Sequence, residues 1–331
     1  MTLQQLINQF RIEAFDNVAP YLFTDPELVM WFNEAEVEAA IRAQLLRETS
    51  NPLLVQFDIK SRQMVYPLDP RMLEIDYASL IFIGASGMLP YPLALTSSAE
   101  MDGCMPLWRT LPFRPSGIIH YDTTLSTNSL PDTDYTIRTE GYRLPIASMA
   151  LEATAEVLAT GTVTLASGTG GTVATATVNG TDILGSAVSF NGTLGQTATD
   201  VAAQINLFQN KYTAAALGAV VTITDIATAG SLHNGWVVAT TLTGTLTTTV
   251  TAMTGGVDAV VTAPELNGAH HRHLVKWALH RGYEKPDAET FDPAKSARAL
   301  AEFEDYFGVR PDASNRKRAN ASRPHRNVAY A

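Results

Sequence analysis

The residues of this 331-residue chain with the clearest chemical potential are four histidines near its C-terminal end. His270, His271 and His273 flank Arg272, and His280 follows two helical turns after His273. Imidazoles three apart on a helix are neighbours, so the group could ligate a metal. A zinc site, however, needs three or four ligands that converge from fixed positions. Arg272 opposes a bound cation, and no cysteine or His–Glu pair completes a motif. We therefore expect no metal here and assign the histidines to a helix start or a contact between subunits. Glu34, Glu36 and Glu38 could serve acid–base chemistry, but they fall mostly off the apolar face of their helix and are expected to be solvated. Asp287, Glu289 and Asp292 are expected to pair with Arg298 or with a neighbour's basic residue. Gly168-Thr-Gly-Gly171 resembles a phosphate loop only superficially, because no Gly-Lys-Ser/Thr and no helix follow it. Trp108, Arg109 and Arg114 stand among prolines, where packing under a loop explains them better than a surface for stacking bases. Cys104 is the single cysteine, so no internal disulfide can form. No local Ser-His-Asp signature, nucleophile elbow or dinucleotide fingerprint occurs. The sequence offers no catalytic residue and implies no cofactor.

The elements that would carry these residues are mostly legible as periodicities. Residues 2–15 read as an amphipathic helix through Leu3, Leu6, Ile7, Phe10 and Ala14. Thr24-Asp-Pro-Glu27 is a helix start with a capping residue, a first-turn proline and an early acid, and the helix is expected over about 25–48. From Asn51 the period shortens to two. Strands are expected at 53–58 and 63–68, joined by a turn at Lys60-Ser61, then at 73–83, 91–96 and 117–125. The last stretch, 134–147, is read as a hairpin over Glu140-Gly141. Prolines punctuate this 51–147 region, which suits short, edge-rich strands. The chain becomes helical again at about 265–281, with His270, Leu274, Trp277, Ala278 and Arg281 on one face and Gly282 as its cap. A last helix is expected at 293–307, capped by Asp292, with Ala299, Leu300, Phe303 and Phe307 inward.

Between residues 155 and 260 the composition shifts to Thr, Ala, Gly and Val, with Lys211 as its one basic residue. Asn179-Gly180 marks a type I′ hairpin leading into a strand at 181–190. A helix is expected from Thr197 or Thr199 to Asn210, with further strands after it. This is a self-contained module of mixed helix and strand. Its weakly charged surface suits a part covered by neighbouring subunits or fixed on a particle. The last segment, 311–331, carries Arg316, Lys317, Arg318, Arg323 and Arg326 against Asp312, directly after Arg310. Such a tail is a solvated end, a nucleic-acid arm, or a strap that orders on an acidic partner. The small apolar group around Tyr330 favours the strap. A net charge of −10 argues against general attraction to nucleic acid or anionic lipid. The N-terminus has no signal-peptide pattern, and no apolar run is long enough for a membrane span.

Several stretches together resemble the head-to-tail adaptor (connector) proteins of tailed bacteriophages. They are Thr24-Asp-Pro-Glu-Leu with Trp31-Phe-Asn-Glu-Ala35, Pro264-Glu-Leu, His273-Leu-Val-Lys-Trp-Ala278, Lys285-Pro-Asp-Ala-Glu-Thr290 and Phe303-Glu-Asp-Tyr-Phe-Gly-Val-Arg310. The resemblance covers about residues 1–150 and 263–325. It implies an α+β chain whose four-helix adaptor body (1–154 plus 261–310) includes the proline-punctuated β region. It further implies a ring, usually of twelve copies, in the virion neck, docked on the portal protein and on tail or nozzle proteins, with DNA passing through unbound. Such a protein is made in the host cytoplasm and has no membrane partner. Interface helices would present Trp31, His270, His273, Trp277, Arg281, Phe303 and Phe307. The tail, from Arg310 through Tyr330, would reach the portal. The 155–260 insert, a small α+β domain rich in antiparallel strands, departs from short adaptors. It resembles small domains of phage tail-sheath and other tail proteins, which implies a contact with tail or fibre components. The alternative from another class is a tail or adhesin-type protein whose insert binds a host-surface ligand. The four framing helices discriminate against it, since a pure adhesin does not need them.

Overall fold

A computed structural model describes residues 1–84, 87–208, 211–286 and 290–311. The chain divides into two compact units, Met1–Leu151 with Thr262–Ala331, and Glu152–Val261.

In the first unit, helix α1 (Leu3–Ala14) opens on a reciprocal cap. The Thr2 hydroxyl accepts from the Gln5 amide and the Gln5 side chain accepts from the Thr2 amide, which satisfies two of the donors every helix start leaves open. Thr24 and Glu27 repeat the device at helix α2 (Asp25–Ala43). Two later helices, α6 (His271–Glu284) and α7 (Pro293–Phe307), pack against each other and against α2, and α6 also packs on α1. Leu3, Leu6, Ile7, Phe10, Leu28, Phe32, Leu274, Ala278 and Phe303 are fully buried. Burial of each large side chain contributes about 1.5–3 kcal/mol.

The β part of this unit holds two larger sheets, beside a short parallel pair of Pro112–Phe113 with Leu130–Pro131. In one, Tyr135–Arg143 pairs antiparallel with Met72–Gly84, Arg47–Glu48 and Gln56–Ile59, and Met72–Gly84 pairs on with Gly87–Pro92. The other runs Val65–Pro67, Thr124–Thr127, Gly117–His120, Ala94–Thr96. A core including Leu54, Ile59, Ile75, Leu80, Ile118 and Ile137 fills this region.

Several local expectations need correction. Helix α2 ends at Ala43, not near 48, because Gln44 adopts a left-handed conformation and Arg47–Glu48 leaves to pair with Tyr142 and Gly141. Asn51 caps a short helix, α3 (Pro52–Val55), where a strand was expected, its side chain accepting from the Leu53 amide. Gln56–Ile59 and Val65–Pro67 do not form a hairpin; they join different sheets. The 117–125 stretch is two strands, Gly117–His120 and Thr124–Thr127. Glu140-Gly141 is not a turn but a register shift within one strand. A Cβ at Gly141 would lie 2.0 Å from the Glu74 carbonyl oxygen, so only glycine fits there. Gly282 does not cap α6. It lies inside the helix, where a Cβ would meet the Phe10 and Phe23 rings at 3.3 Å. Close packing, not backbone freedom, explains this glycine.

The second unit has two four-stranded sheets. The first runs Tyr212–Leu217, Val220–Asp225, Thr160–Ser167, Thr247–Thr254; in the second, Gly171–Val178 pairs with Val238–Gly244, Thr181–Asp182 and Val188–Ser189. Helix α5 (Leu194–Phe208) packs on the first sheet, and Val163, Val173, Ile183, Val201, Ile205 and Ile223 lie in the core. Asn179 and Gly180 both have positive φ, as a type I′ turn requires. The strand beyond them is shorter than expected, Thr181–Asp182 only, and resumes at Val188–Ser189. Helix α5 also starts earlier, because Thr193, not Thr197 or Thr199, accepts from the Gln196 amide.

Candidate functional site

The four histidines do not converge on one point: His270 and His273 share Tyr306, while His271 and His280 turn elsewhere. His271 is buried and its Nε2 bonds the Leu266 carbonyl at 2.7 Å. The His273 ring stacks on Tyr306 at 3.5 Å, and His270 Nδ1 lies 3.1 Å from the Tyr306 hydroxyl. His280 bonds the Ser296 side chain on α7 at 2.8 Å. Partial burial lowers the pKa of His273, helped by the neighbouring cations Arg272 and Lys276. Among the described residues no group of three His, Cys, Asp or Glu side chains is placed to hold a metal ion. The arrangement joins α6 to α7 through rings and hydroxyls.

The residues assigned to subunit contacts divide into two classes. Trp31, Phe303 and Phe307 are buried within the single chain. Trp31 packs on Phe10 and Phe23, and Phe303 and Phe307 lie against each other with centroids 4.7 Å apart. Within the single chain this apolar stripe seals the helices of one subunit. Trp277 packs on Phe303, with the Arg42 guanidinium 5.3 Å from both rings. His270, His273 and Arg281 keep accessible surface. Arg281 pairs with Glu34 at 3.1 Å and with Glu284 at 3.3 Å. Of the basic tail, Arg310 alone is described; it pairs with Glu38 on α2 at 3.2 Å. Arg316, Lys317, Arg318, Arg323, Arg326 and Tyr330 lie outside the described residues, as do Asp287 and Glu289. Asp292 caps α7 by accepting from the Ala294 and Lys295 amides, and Arg298, expected to pair with it, instead meets Glu302.

Sequence reasoning missed the polar centre of this unit. Arg143, almost fully buried, bridges Glu48 at 2.9 Å and Glu265, tying its strand to the segment before α6. The Glu48 carboxylate also accepts from the amides of Thr49, Ser50 and Asn51. Burial works to raise the Glu48 pKa, but the amides of Ser50 and Asn51 and the Arg143 guanidinium outweigh it and bring it down to about 2. Glu36, expected to be solvated, is 1% exposed. Its Oε1 accepts from the Glu265 amide at 2.5 Å and the Leu266 amide at 3.3 Å. Burial pushes its pKa up to about 7, and the nearby Glu265 charge adds to that. The signal was present in the sequence: Leu28, Phe32, Glu36 and Ala40 fall at intervals of four, on the buried stripe.

A second missed network organises the α1–α2 connection. Arg11 is buried, with Nη1 2.9 Å from Asp16 and Nη2 2.6 Å from Asp25. Asp16 accepts from the Leu22 and Phe23 amides, and the guanidinium lies 3.6 Å over the Tyr21 ring. Around this charged hub, Ile12, Phe15, Val18, Tyr21 and Leu22 face outward. A comparable device stands at residues 98–113. Asp102, on helix α4 (Ser98–Cys104), accepts from the Trp108 indole at 2.8 Å and pairs with Arg109, while Met105, Leu107, Leu111 and Phe113 are exposed. Trp108 is buried on Met101 and Ile119; it serves packing.

What these surfaces hold together is pointed to by a comparison with known families. A family model described as "SU10 adaptor protein" matches residues 1–166, just over half of the 331-residue chain. The chain belongs to the SU10 adaptor protein family. Membership in this family supports a structural protein of a bacteriophage. The match spans α1, α2 and both sheets of the first unit, and runs into strand Thr160–Ser167 of the second. No curated protein matches the chain. No helix among the described residues of this adaptor is long and apolar enough to cross a membrane.

Proposed function

We propose that this SU10 adaptor forms a ring that joins the portal of the phage head to the tail and lets DNA pass through its centre. The observation that carries the reading is the family match over residues 1–166. A net charge of −10 supports a channel that DNA slides through, because like charge prevents adhesion. The basic tail is the natural contact for an acidic portal surface, and Arg310 already pairs with an acid, Glu38. The ring has twelve copies in this reading. His270, His273 and Arg281 lie at its subunit contacts, and the 152–261 unit faces tail or fibre proteins in the neck of the virion.

The test is deletion of residues 311–331 followed by a pull-down on purified portal. Docking is expected to fall at least about tenfold, since each exposed charge pair lost is worth up to roughly 1 kcal/mol. The helical circular dichroism should be unchanged. A truncated chain that enters particles at the normal level would refute the strap.

A further inference from the structure

The chain contains four Asn-Gly pairs: Asn179-Gly180, Asn191-Gly192, Asn234-Gly235 and Asn267-Gly268. Asparagine followed by glycine is a reactive sequence in water. The glycine backbone nitrogen can attack the side-chain carbonyl carbon of the asparagine, and no Cβ on the second residue stands in the way. Such chemistry is one reason asparagine counts as thermolabile. In a folded chain two conditions decide which pair reacts. The side chain must be free to swing onto the nitrogen, and the nitrogen must be free to lose its proton.

Three of the four pairs are held. Asn234 exchanges two hydrogen bonds with Gly256, its Nδ2 donating to the carbonyl at 2.8 Å and its Oδ1 accepting from the amide at 2.9 Å. The Gly235 amide beside it donates to the Met253 carbonyl at 2.7 Å. Asn191 Nδ2 donates to Asp200 at 2.8 Å, and Asn267 Oδ1 accepts from the Ala269 amide at 3.0 Å. Each of these contacts has to be given up before the side chain can turn to the next backbone nitrogen. Asn179-Gly180 differs. It is the tip of the hairpin between Gly171–Val178 and Thr181–Asp182, and both residues are exposed. Among the described residues neither the Asn179 side chain nor the Gly180 amide has a hydrogen-bond partner. A Cβ built on Gly180 would meet nothing within 4 Å, so a ring closing there meets no neighbour.

We infer that Asn179 is a site of spontaneous modification, converting to aspartate and isoaspartate in the folded protein while Asn191, Asn234 and Asn267 keep their amides. Hydroxide removes the Gly180 amide proton and the nitrogen bonds to Asn179 Cγ. The Cγ–Nδ2 bond breaks, and Nδ2 takes up a proton and leaves as ammonia. Water then opens the cyclic imide. Opening at the side-chain carbonyl gives aspartate; opening at the main-chain carbonyl gives isoaspartate. Water and hydroxide are the only co-reactants. The two products act differently on the fold. Aspartate tolerates the positive φ of position 179 and keeps the turn. Isoaspartate adds a carbon to the main chain of a two-residue loop. Because turn geometry sets hairpin register, it breaks the pairing of Val178 with Thr181 and of Thr177 with Asp182.

The test is to hold the full-length protein in mildly alkaline buffer made with heavy-oxygen water, digest it, and map the label by mass spectrometry beside a denatured sample. In the folded protein Asn179 is expected to take up label at least about tenfold faster than the other three, the factor set by one hydrogen bond that must break first. In denaturant the four rates should draw together. Asn179→Gly, which suits the same turn, should abolish the acidic species on ion exchange with unchanged circular dichroism. An Asn179 that keeps its amide when folded but reacts when denatured would overturn the inference, because the turn then holds the nitrogen away from Cγ. Labelling of Asn191, Asn234 or Asn267 in the folded protein at the rate of Asn179 would overturn it as well.

Discussion

The two units of the chain are stabilised by different chemistry. The 1–151 and 262–311 unit is braced by ion pairs between its own elements. Lys276 on α6 holds Glu13 on α1 and Glu302 on α7, Arg42 on α2 holds Glu304 on α7, and Arg143 holds Glu48 and Glu265. The 152–261 unit relies on its apolar core, its backbone ladders and threonine pairs such as Thr162–Thr251 and Thr172–Thr243, with hydroxyl oxygens 2.8 Å and 2.7 Å apart. Threonine is suited to this because its branched Cβ favours strands while its hydroxyl bonds sideways to the next strand. The difference teaches that low charge in the insert is not a deficit of cohesion. It is a second way to hold a sheet, one that leaves little surface charge for solvent or neighbours to act on.

Three substitutions would break or sharpen that comparison, and the indole N–H resonance of Trp236, the one tryptophan of the insert, lets its unfolding be followed apart from Trp31, Trp108 and Trp277 of the body. The largest effect is expected for Arg143→Met. It leaves the Glu48 and Glu265 carboxylates without their counter-charge and should cost the body about 3–5 kcal/mol in denaturant. The Trp236 signal should not move. Ile223→Ala is the reciprocal experiment. Ile223 is fully buried in the insert core, and truncation should cost about 2–4 kcal/mol, seen at Trp236 and not in the helical signal of the body. If both variants melt both units together, the two stabilising schemes are not separable.

The smallest and most conditional effect is expected for Glu36→Gln. The folded pKa of Glu36 is raised to about 7 from 4.5. Its stabilising contribution is therefore complete below pH 4.5 and is lost as pH rises through 7. At pH 8 the buried charge costs up to about 3 kcal/mol, taking 1.36 kcal/mol per unit, and the glutamine variant should be the more stable by a part of that. At pH 5 the two should be nearly equal. Glu48 acts in the opposite sense. Its pKa is lowered to about 2, so its contribution is complete above 4.5 and is lost as pH falls toward 2. Thermal melts at pH 3, 5 and 8 separate the two. A Glu36→Gln melt that parallels the wild type at every pH would refute the role of Glu36.

How much was legible in the sequence depended on whether the signal was local. The starts of α2 and α7 are written at Thr24-Asp25-Pro26 and Asp292-Pro293, because a cap and a first-turn proline act within a few residues. The Asn179-Gly180 turn is legible for the same reason, since positive φ is a property of the residue. What failed was non-local. The end of α2 is set by the pairing of Arg47–Glu48 with a strand nearly a hundred residues later. Gly282 looked like a terminus and is a packing site for Phe10 and Phe23. Of the candidate functional residues, Trp31, Phe303 and Phe307 were visible as apolar positions, but a stripe does not say whether it is covered by the same chain or by another. Arg11, Arg143 and Glu36 were hidden because charge alone suggests solvent, and only their placement on buried stripes argues otherwise.

The Arg310–Glu38 pair has a consequence for kinetics. It fixes where the last residues leave the body, on the flank of α2. The 20 residues from Asp312 to Ala331 can then span no more than about 70 Å at roughly 3.5 Å each. In the ring proposed above, tails of that contour would keep their far ends near one another, so once one had found its target the others would search at a high effective molarity. Release would require many tails to let go together, and the grip of the assembly would then be set by the slowest of those escapes.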